Sequence, residues 1–173
     1  CLFQGAYYVE SNGEAAVIDP LREVSEYLNL AESSNSKIKY IFETHFHADF
    51  ISGHLTLSKK TNSPIIFGPK ANPSFDCIVA EDNQVFKIGD ISITVLHTPG
   101  HTLESTCYLL KDENDVPHCL FTGDTLFIGD VGRPDLAQKS LNFSKEELAG
   151  ILYDSIQNRI AVLPDNILIY PAH

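Results

Sequence analysis

At 173 residues the chain suits one domain with a sizeable core for its length. Its 43% hydrophobic and 20% charged residues are ordinary for a globular protein, and no apolar run approaches the ~20 residues that a membrane span needs. The net charge of −11, with sparse and scattered Lys and Arg, excludes the basic face of a nucleic-acid or anionic-membrane binder. The four cysteines, Cys1, Cys77, Cys107 and Cys119, form no Cys-x-x-Cys pair and are too few for a disulfide scaffold, so free and mostly buried thiols are expected.

In chain order, Ala6–Glu10 and Ala15–Asp19 read as strands joined by Ser11-Asn12-Gly13-Glu14, a hairpin turn with an Asn-Gly signal. Asp19-Pro20 opens a helical stretch over Leu21–Ser33, with Leu21, Val24, Leu28 and Ala31 near helical spacing. Ile38–Glu43 is an apolar strand. Asp49 stands where it would cap a helix over Phe50–Thr61. Pro64–Phe67 is a short strand, and Ala71–Ala80 has no clear period. Gln84–Ile88 and Ile91–His97 flank Gly89-Asp90; Ile91, Ile93 and Val95 alternate, with His97 on their face. Thr106–Leu110 and His118–Thr122 follow as strands. Ser144 and Glu147 have capping-box spacing at the head of a helix over Ser144–Ile160, and Ile167–Tyr170 is a last strand. Strands and helices alternate, but hairpins interrupt them. That predicts an α/β fold of two mixed sheets with helices outside rather than a doubly wound parallel sheet.

One segment stands out chemically. Thr44-His45-Phe46-His47-Ala48-Asp49 places three metal-ligand side chains within five residues, directly after a strand. On a helix His45 and His47 would point to nearly opposite sides, because each residue turns about 100°. In an extended segment or tight loop they point the same way. Four more segments have the same form, a strand running into a loop with chemistry-bearing residues: Leu96-His97-Thr98-Pro99-Gly100-His101, Phe121-Thr122-Gly123-Asp124-Thr125, Tyr170-Pro171-Ala172-His173, and the Gly-rich Leu126–Asp135 with its single cation, Arg133.

In this order the motifs resemble the metallo-β-lactamase superfamily, over about Ala6 to His173. The resemblance implies an αββα sandwich with its metal site along one edge of the two sheets, in a single domain (1–173) truncated at both ends relative to the full-length protein. The stretches Glu43–Gly53 and Gly123–Leu136 resemble the persulfide dioxygenases, most of all a bacterial branch fused to rhodanese domains. That resemblance implies one Fe(II) per chain on His45, His101 and Asp124, with His47, Asp49 and His173 beside the metal or as alternative ligands. Such a site has the two-imidazole, one-carboxylate arrangement that leaves coordination positions open for substrate and O₂. The implied substrates are a low-molecular-weight thiol persulfide and O₂, giving sulfite and free thiol. The implied partner is a rhodanese sulfurtransferase, fused or separate, in a homo-oligomer. The implied location is the bacterial cytoplasm, or the mitochondrial matrix in a eukaryote; no basic, then apolar, leader opens the chain.

Phe50 is the departure. Dinuclear zinc members have His there, so Phe50 argues for one metal ion and against the rival reading, a glyoxalase-II-like zinc thioester hydrolase. A further rival is a metal-binding module without catalysis. His54, one helical turn on, is displaced by about 6 Å along the helix and reads as too distant to replace the missing ligand. Arg133 has two readings: a clamp for a substrate carboxylate, or a loop residue paired with Asp130 or Asp135. Tyr170 is a candidate pocket wall. Asp19 and Asp135 read as capping or loop-fixing residues, His97 as a residue packed at or near the site, and His118 as an ordinary surface or core histidine. The glycosylation-like triplet Asn142-Phe143-Ser144 reads as chance.

Overall fold

The computed structural model describes residues 4–135 and 143–173; Cys1, Leu136 and Asn142 lie outside them. Among the described residues, ten strands form two five-stranded sheets. The first holds β1 (Tyr7–Ser11), β2 (Glu14–Ile18), β3 (Lys37–Glu43), β4 (Ile65–Phe67) and β5 (Ile78–Val79) side by side in chain order. The pair β1/β2 is antiparallel and the other pairs are parallel. The second sheet holds β6 (Val85–Ile88), β7 (Ile91–His97), β8 (Thr106–Lys111) and β9 (Pro117–Gly123) as antiparallel neighbours, with β10 (Leu168–Pro171) parallel to β9. Both sheets are therefore mixed, as the hairpins in the sequence predict.

The alternation of side chains along each strand builds the layers. Ala16, Ile18 and Phe42 of the first sheet pack on Phe86, Ile93, Val95, Tyr108 and Phe121 of the second, which makes the central core. Their neighbours on the opposite face, Ala15, Val17, Ile38 and Ile41, meet Tyr27 and Ala31 of α1 (Ser25–Ser33) and Leu57 of α2 (His54–Thr61). On the far side Leu96, Cys107, Leu109 and Leu120 pack under Ile156 and Ile160, which lie in a π-helical turn (Ile156–Ile160) continuing α3 (Lys145–Ser155). The order is helix, sheet, sheet, helix. No helix among the described residues is long and apolar enough to cross a membrane.

Two helices start later than their periodicity predicts. The Leu21 N–H is taken by the Tyr27 hydroxyl at 2.9 Å, so α1 begins at Ser25. Asp49 does not cap α2; its carboxylate lies 3.2 Å from His173 Nε2. The Gly53 N–H donates to the Pro20 carbonyl and Ser52 Oγ to Glu43, which holds residues 50–53 out of helical geometry until His54. The capping box of α3 is present: Glu147 N donates to Ser144 Oγ at 3.1 Å and Ser144 N to Glu147 Oε2 at 2.8 Å. Ser144→Ala is expected to lower stability by about 1 kcal/mol, read as a drop in urea midpoint with an unchanged slope.

Cys77, Cys107 and Cys119 are free thiols. Burial pushes the thiols of Cys107 and Cys119 up to about 11, which keeps both protonated and unreactive near neutrality.

Candidate metal centre

Four strands, β3, β7, β9 and β10, deliver the motif residues from their C-terminal ends. Tyr108 Oη donates to the Glu43 carbonyl at 2.8 Å and pins the end of β3 to the second sheet. Thr106 N donates to the Thr44 carbonyl at 2.9 Å and joins the loop after β3 to β8. The motif loop is thus tied to both sheets.

His45 is held by a directional chain of hydrogen bonds. Thr44 N and Oγ1 both donate to the buried Asp19 carboxylate, each at 2.8 Å. The Thr44 hydroxyl proton is spent on Asp19, so its oxygen accepts from His45 Nδ1 at 3.0 Å. The Nε2 lone pair is then free. Burial holds the imidazole well below its usual pKa, helped by His47, His101 and His173, so His45 is a neutral donor.

His101 is oriented by another route. Its Nδ1 lies 3.1 Å from the Arg133 carbonyl, which only accepts, so Nδ1 carries a proton and Nε2 is the ring nitrogen left to face the site. The Pro99-Gly100 turn that projects His101 is fixed by α3: Ser155 Oγ donates to the Pro99 carbonyl at 2.7 Å. Gly100 has φ of +143°, and a Cβ there would overlap Leu152 of α3. Gly100→Ala is therefore expected to cost about 1–3 kcal/mol through overpacking, and to push α3 and the His101 turn apart. Denaturant unfolding would read the first effect and metal titration the second.

Asp124 follows Gly123, whose φ of +50° turns the chain off β9 and whose Cβ would overlap Thr44 Oγ1. Asp124 Oδ2 lies 3.6 Å from His101 Nε2 and 4.0 Å from His45 Nε2. These separations are long for hydrogen bonds. They suit three donors that would each sit about 2.0–2.2 Å from one shared ion. Asp124 Oδ1 is buried without a hydrogen-bond partner, and burial pushes the carboxyl above its usual range despite the histidines nearby. Two oriented imidazole nitrogens and a desolvated carboxylate fit a divalent metal. The predicted trio His45, His101 and Asp124 comes together.

His47 has a different character. Its Nε2 lies 3.1 Å from Asp19 Oδ1 and 3.5 Å from Glu43 Oε2, off the direction of a well-formed hydrogen bond. Burial opposes its protonation, but the Asp19 and Glu43 carboxylates outweigh it and push the imidazole up to about 9. In the metal-free protein His47 is thus the counter-ion of two buried acids. His173 Nε2 lies 3.2 Å from Asp49 Oδ2 and 3.7 Å from Asp124 Oδ1, so these three gather on the other side of the Asp124 carboxylate. The Phe50 ring sits 4.4 Å from that of His47.

The remaining predicted residues lie apart from the trio. Arg133 forms two bonds to Asp135, at 2.9 and 2.7 Å, with its side chain 65% exposed. What Arg133 gives the site is its carbonyl. Tyr170 stacks on Phe121 and meets Tyr7 edge-on, in a separate aromatic groove between β1 and the second sheet. His97 Nε2 bonds to the Leu103 carbonyl at 2.9 Å, a packing role. Sequence reasoning missed Glu43. Its signal was a carboxylate on the buried end of an apolar strand.

Residues 1–76 match the model of the metallo-beta-lactamase superfamily. The hydroxyacylglutathione hydrolase of Dictyostelium discoideum is 35% identical over 169 residues, which are 95% of this chain and 59% of that protein. Among solved structures, a metallo-beta-lactamase from Staphylococcus aureus subsp. aureus COL superposes with a TM-score of 0.88 at 38% identity, over 99% of this chain and 52% of that one. ETHE1 from Myxococcus xanthus does so with a TM-score of 0.83 at 29% identity, over 99% of this chain and 71% of that one. The chain spans about three fifths of the length of the curated relatives it matches.

These relatives overturn the expectation of a persulfide dioxygenase. Curated relatives between 31 and 35% identical, most matching over 95% of the chain, carry the name hydroxyacylglutathione hydrolase. The physical reason for the error is specific. Phe50 bears on the number of metal ions and not on the reaction, and two imidazoles with one carboxylate serve a zinc hydrolase as readily as an iron oxygenase.

Proposed function

The chain is a metallo-beta-lactamase superfamily domain, and we propose that it is a metal-dependent hydrolase of glutathione thioesters of hydroxy acids. One observation carries the reading: His45, His101 and Asp124 form one donor cluster in a chain 35% identical to a hydroxyacylglutathione hydrolase. The reaction adds water across the thioester C–S bond, giving a hydroxy acid and the free thiol. A divalent ion such as zinc, held by those three residues, would polarise the thioester carbonyl and acidify water at neutral pH.

The chain's own groups do the rest. Thr44 and the Arg133 carbonyl hold the Nδ1–H of His45 and of His101, so both rings turn Nε2 to the site. Asp124 supplies the negative charge that a dication needs. Its second oxygen, free of hydrogen bonds, faces His173 and Asp49 and is placed to take a proton from water on that side. His173 lies 3.7 Å from that oxygen and 3.2 Å from Asp49, so a proton reaching Asp124 has acceptors further out. Phe50 supplies no ligand, and one metal ion is enough for this chemistry.

The test is turnover of S-lactoylglutathione by zinc-loaded protein, followed as thiol release, with metal content measured on the same sample. Thiol release above the rate of metal-free protein supports the proposal. Metal-loaded protein with no turnover overturns it.

A further inference from the structure

Glu43 closes β3 with its side chain 1% exposed, and no part of the proposed hydrolysis uses it. Its Oε1 accepts from Ser52 Oγ at 2.5 Å and lies 3.1 Å from His54 Nδ1. Its Oε2 lies 3.5 Å from His47 Nε2. His54 Nδ1 and Glu43 Oε1 are within hydrogen-bond reach, and an Nδ1–H there donates to the carboxyl oxygen. One buried group thus touches the end of β3, the middle of the motif loop, its far end and the first residue of α2. The loop between these anchors carries His45, His47 and Asp49.

Its other restraints are local to single positions: Asp19 and Thr106 on Thr44, Glu104 on the Phe46 N–H, Asp19 on His47, His173 on Asp49, and Pro20 on Ser52 and Gly53. Glu43 ties the start of the loop to its end. His54 is itself fixed, with its ring centroid 5.0 Å from that of Phe75 and 6.2 Å from that of Phe67. Glu43 and His54 line a cavity of about 100 Å³ together with His47, Phe50 and Ser52. Glu43, with its side chain 1% exposed, loses a partner that bulk water does not readily replace if His54 is truncated.

We propose that Glu43 and His54 are positioning residues for the metal centre: their contact straps the Thr44–Gly53 loop to α2 and sets the placement of His45. The proposal rests on the metal site of the preceding reading, not on its substrate. It also explains what His54 does in this fold, one turn beyond the motif, without making it a ligand.

The test titrates the full chain with Co(II), reading affinity by chelator competition and ligand geometry by the visible d–d absorption of the bound ion. His54→Ala removes the donor to Glu43. His54→Asn puts an amide N–H close to where Nδ1 stood, so it restores the contact without the ring. His54→Ala is expected to weaken Co(II) binding by about 10–100-fold and to alter the d–d spectrum. His54→Asn is expected to recover most of the affinity and the wild-type spectrum.

If His54→Ala binds Co(II) as tightly as wild type and with the same spectrum, the strap does not exist. If His54→Asn is as weak as His54→Ala, the loss comes from ring packing on Phe67 and Phe75, and the proposal fails. Should His54→Ala not fold, the comparison of His54→Asn with His54→Leu decides in the same way. Wild-type protein that binds Co(II) but leaves the thioester intact overturns the hydrolase alone, and the strap is then decided by the variants. Wild-type protein that binds no Co(II) overturns both.

Discussion

Asp124→Ala is expected to abolish metal binding, and with it the proposed thioester hydrolysis, while leaving the metal-free fold as stable as before, or more so. The two halves have one cause. Burial raises the Asp124 carboxyl above its usual range, and Oδ1 has no hydrogen-bond partner. A raised folded-state pKa in an acid means that the ionised form is the less favourable one inside the fold, so above that range the group costs stability. What it returns is charge for a cation. Without it only the two imidazoles remain, and a dication brought between them has no counter-charge. The loss in affinity should exceed the ~10–100-fold typical of an outer partner. Inductively coupled plasma mass spectrometry of the purified variant reads the metal, and thermal unfolding in excess chelator reads the fold. A variant that keeps full metal content would mean that Asp124 is not a ligand. One that unfolds far below wild type in chelator would mean that the carboxylate holds the structure instead.

The fold was legible in the sequence because its signals are local. The Asn12-Gly13 turn takes positive φ at both residues, 46° and 78°, and closes β1 on β2 as that dipeptide predicts. The strand ends that carry His45, His101 and Asp124 were marked by apolar runs stopping at Thr-His, Pro-Gly and Gly-Asp, and these three residues do converge. What local signals could not give is where a polar side chain spends its hydrogen bonds. Asp49 has the sequence position of a helix cap but pairs with His173, a residue 124 positions away. His54 has the look of a displaced ligand and is instead bonded to Glu43. Arg133 stands beside the site through its carbonyl while its guanidinium turns to Asp135. The reaction was read wrongly for a related reason. A set of donor types constrains the geometry around a metal far more tightly than it constrains which bond the metal helps to break.

Asp19 is where the same logic predicts the largest loss of stability. It is 2% exposed, accepts from both Thr44 N and Thr44 Oγ1, and stands 3.1 Å from the His47 ring that it helps keep protonated. Asp19→Ala would strand two buried donors and weaken the compensation of a buried cation. Breaking a buried pair from one side in this way typically costs about 3–5 kcal/mol, well above the cost of a surface change, and denaturant unfolding in chelator should show it. The variant should also bind metal more weakly, because Thr44 would no longer be committed as an acceptor and His45 could place its proton on either nitrogen. Thr44→Val separates the two effects. It keeps the shape and the backbone N–H to Asp19, but removes the oxygen that accepts from His45 Nδ1 and the hydroxyl that donates to Asp19 Oδ2, at a cost of about 1–3 kcal/mol. A fall in metal affinity of about 10-fold or more in Thr44→Val, at a smaller loss of stability than in Asp19→Ala, is the expected outcome. Unchanged affinity would show that His45 finds its tautomer without Thr44, and that Asp19 serves the fold alone.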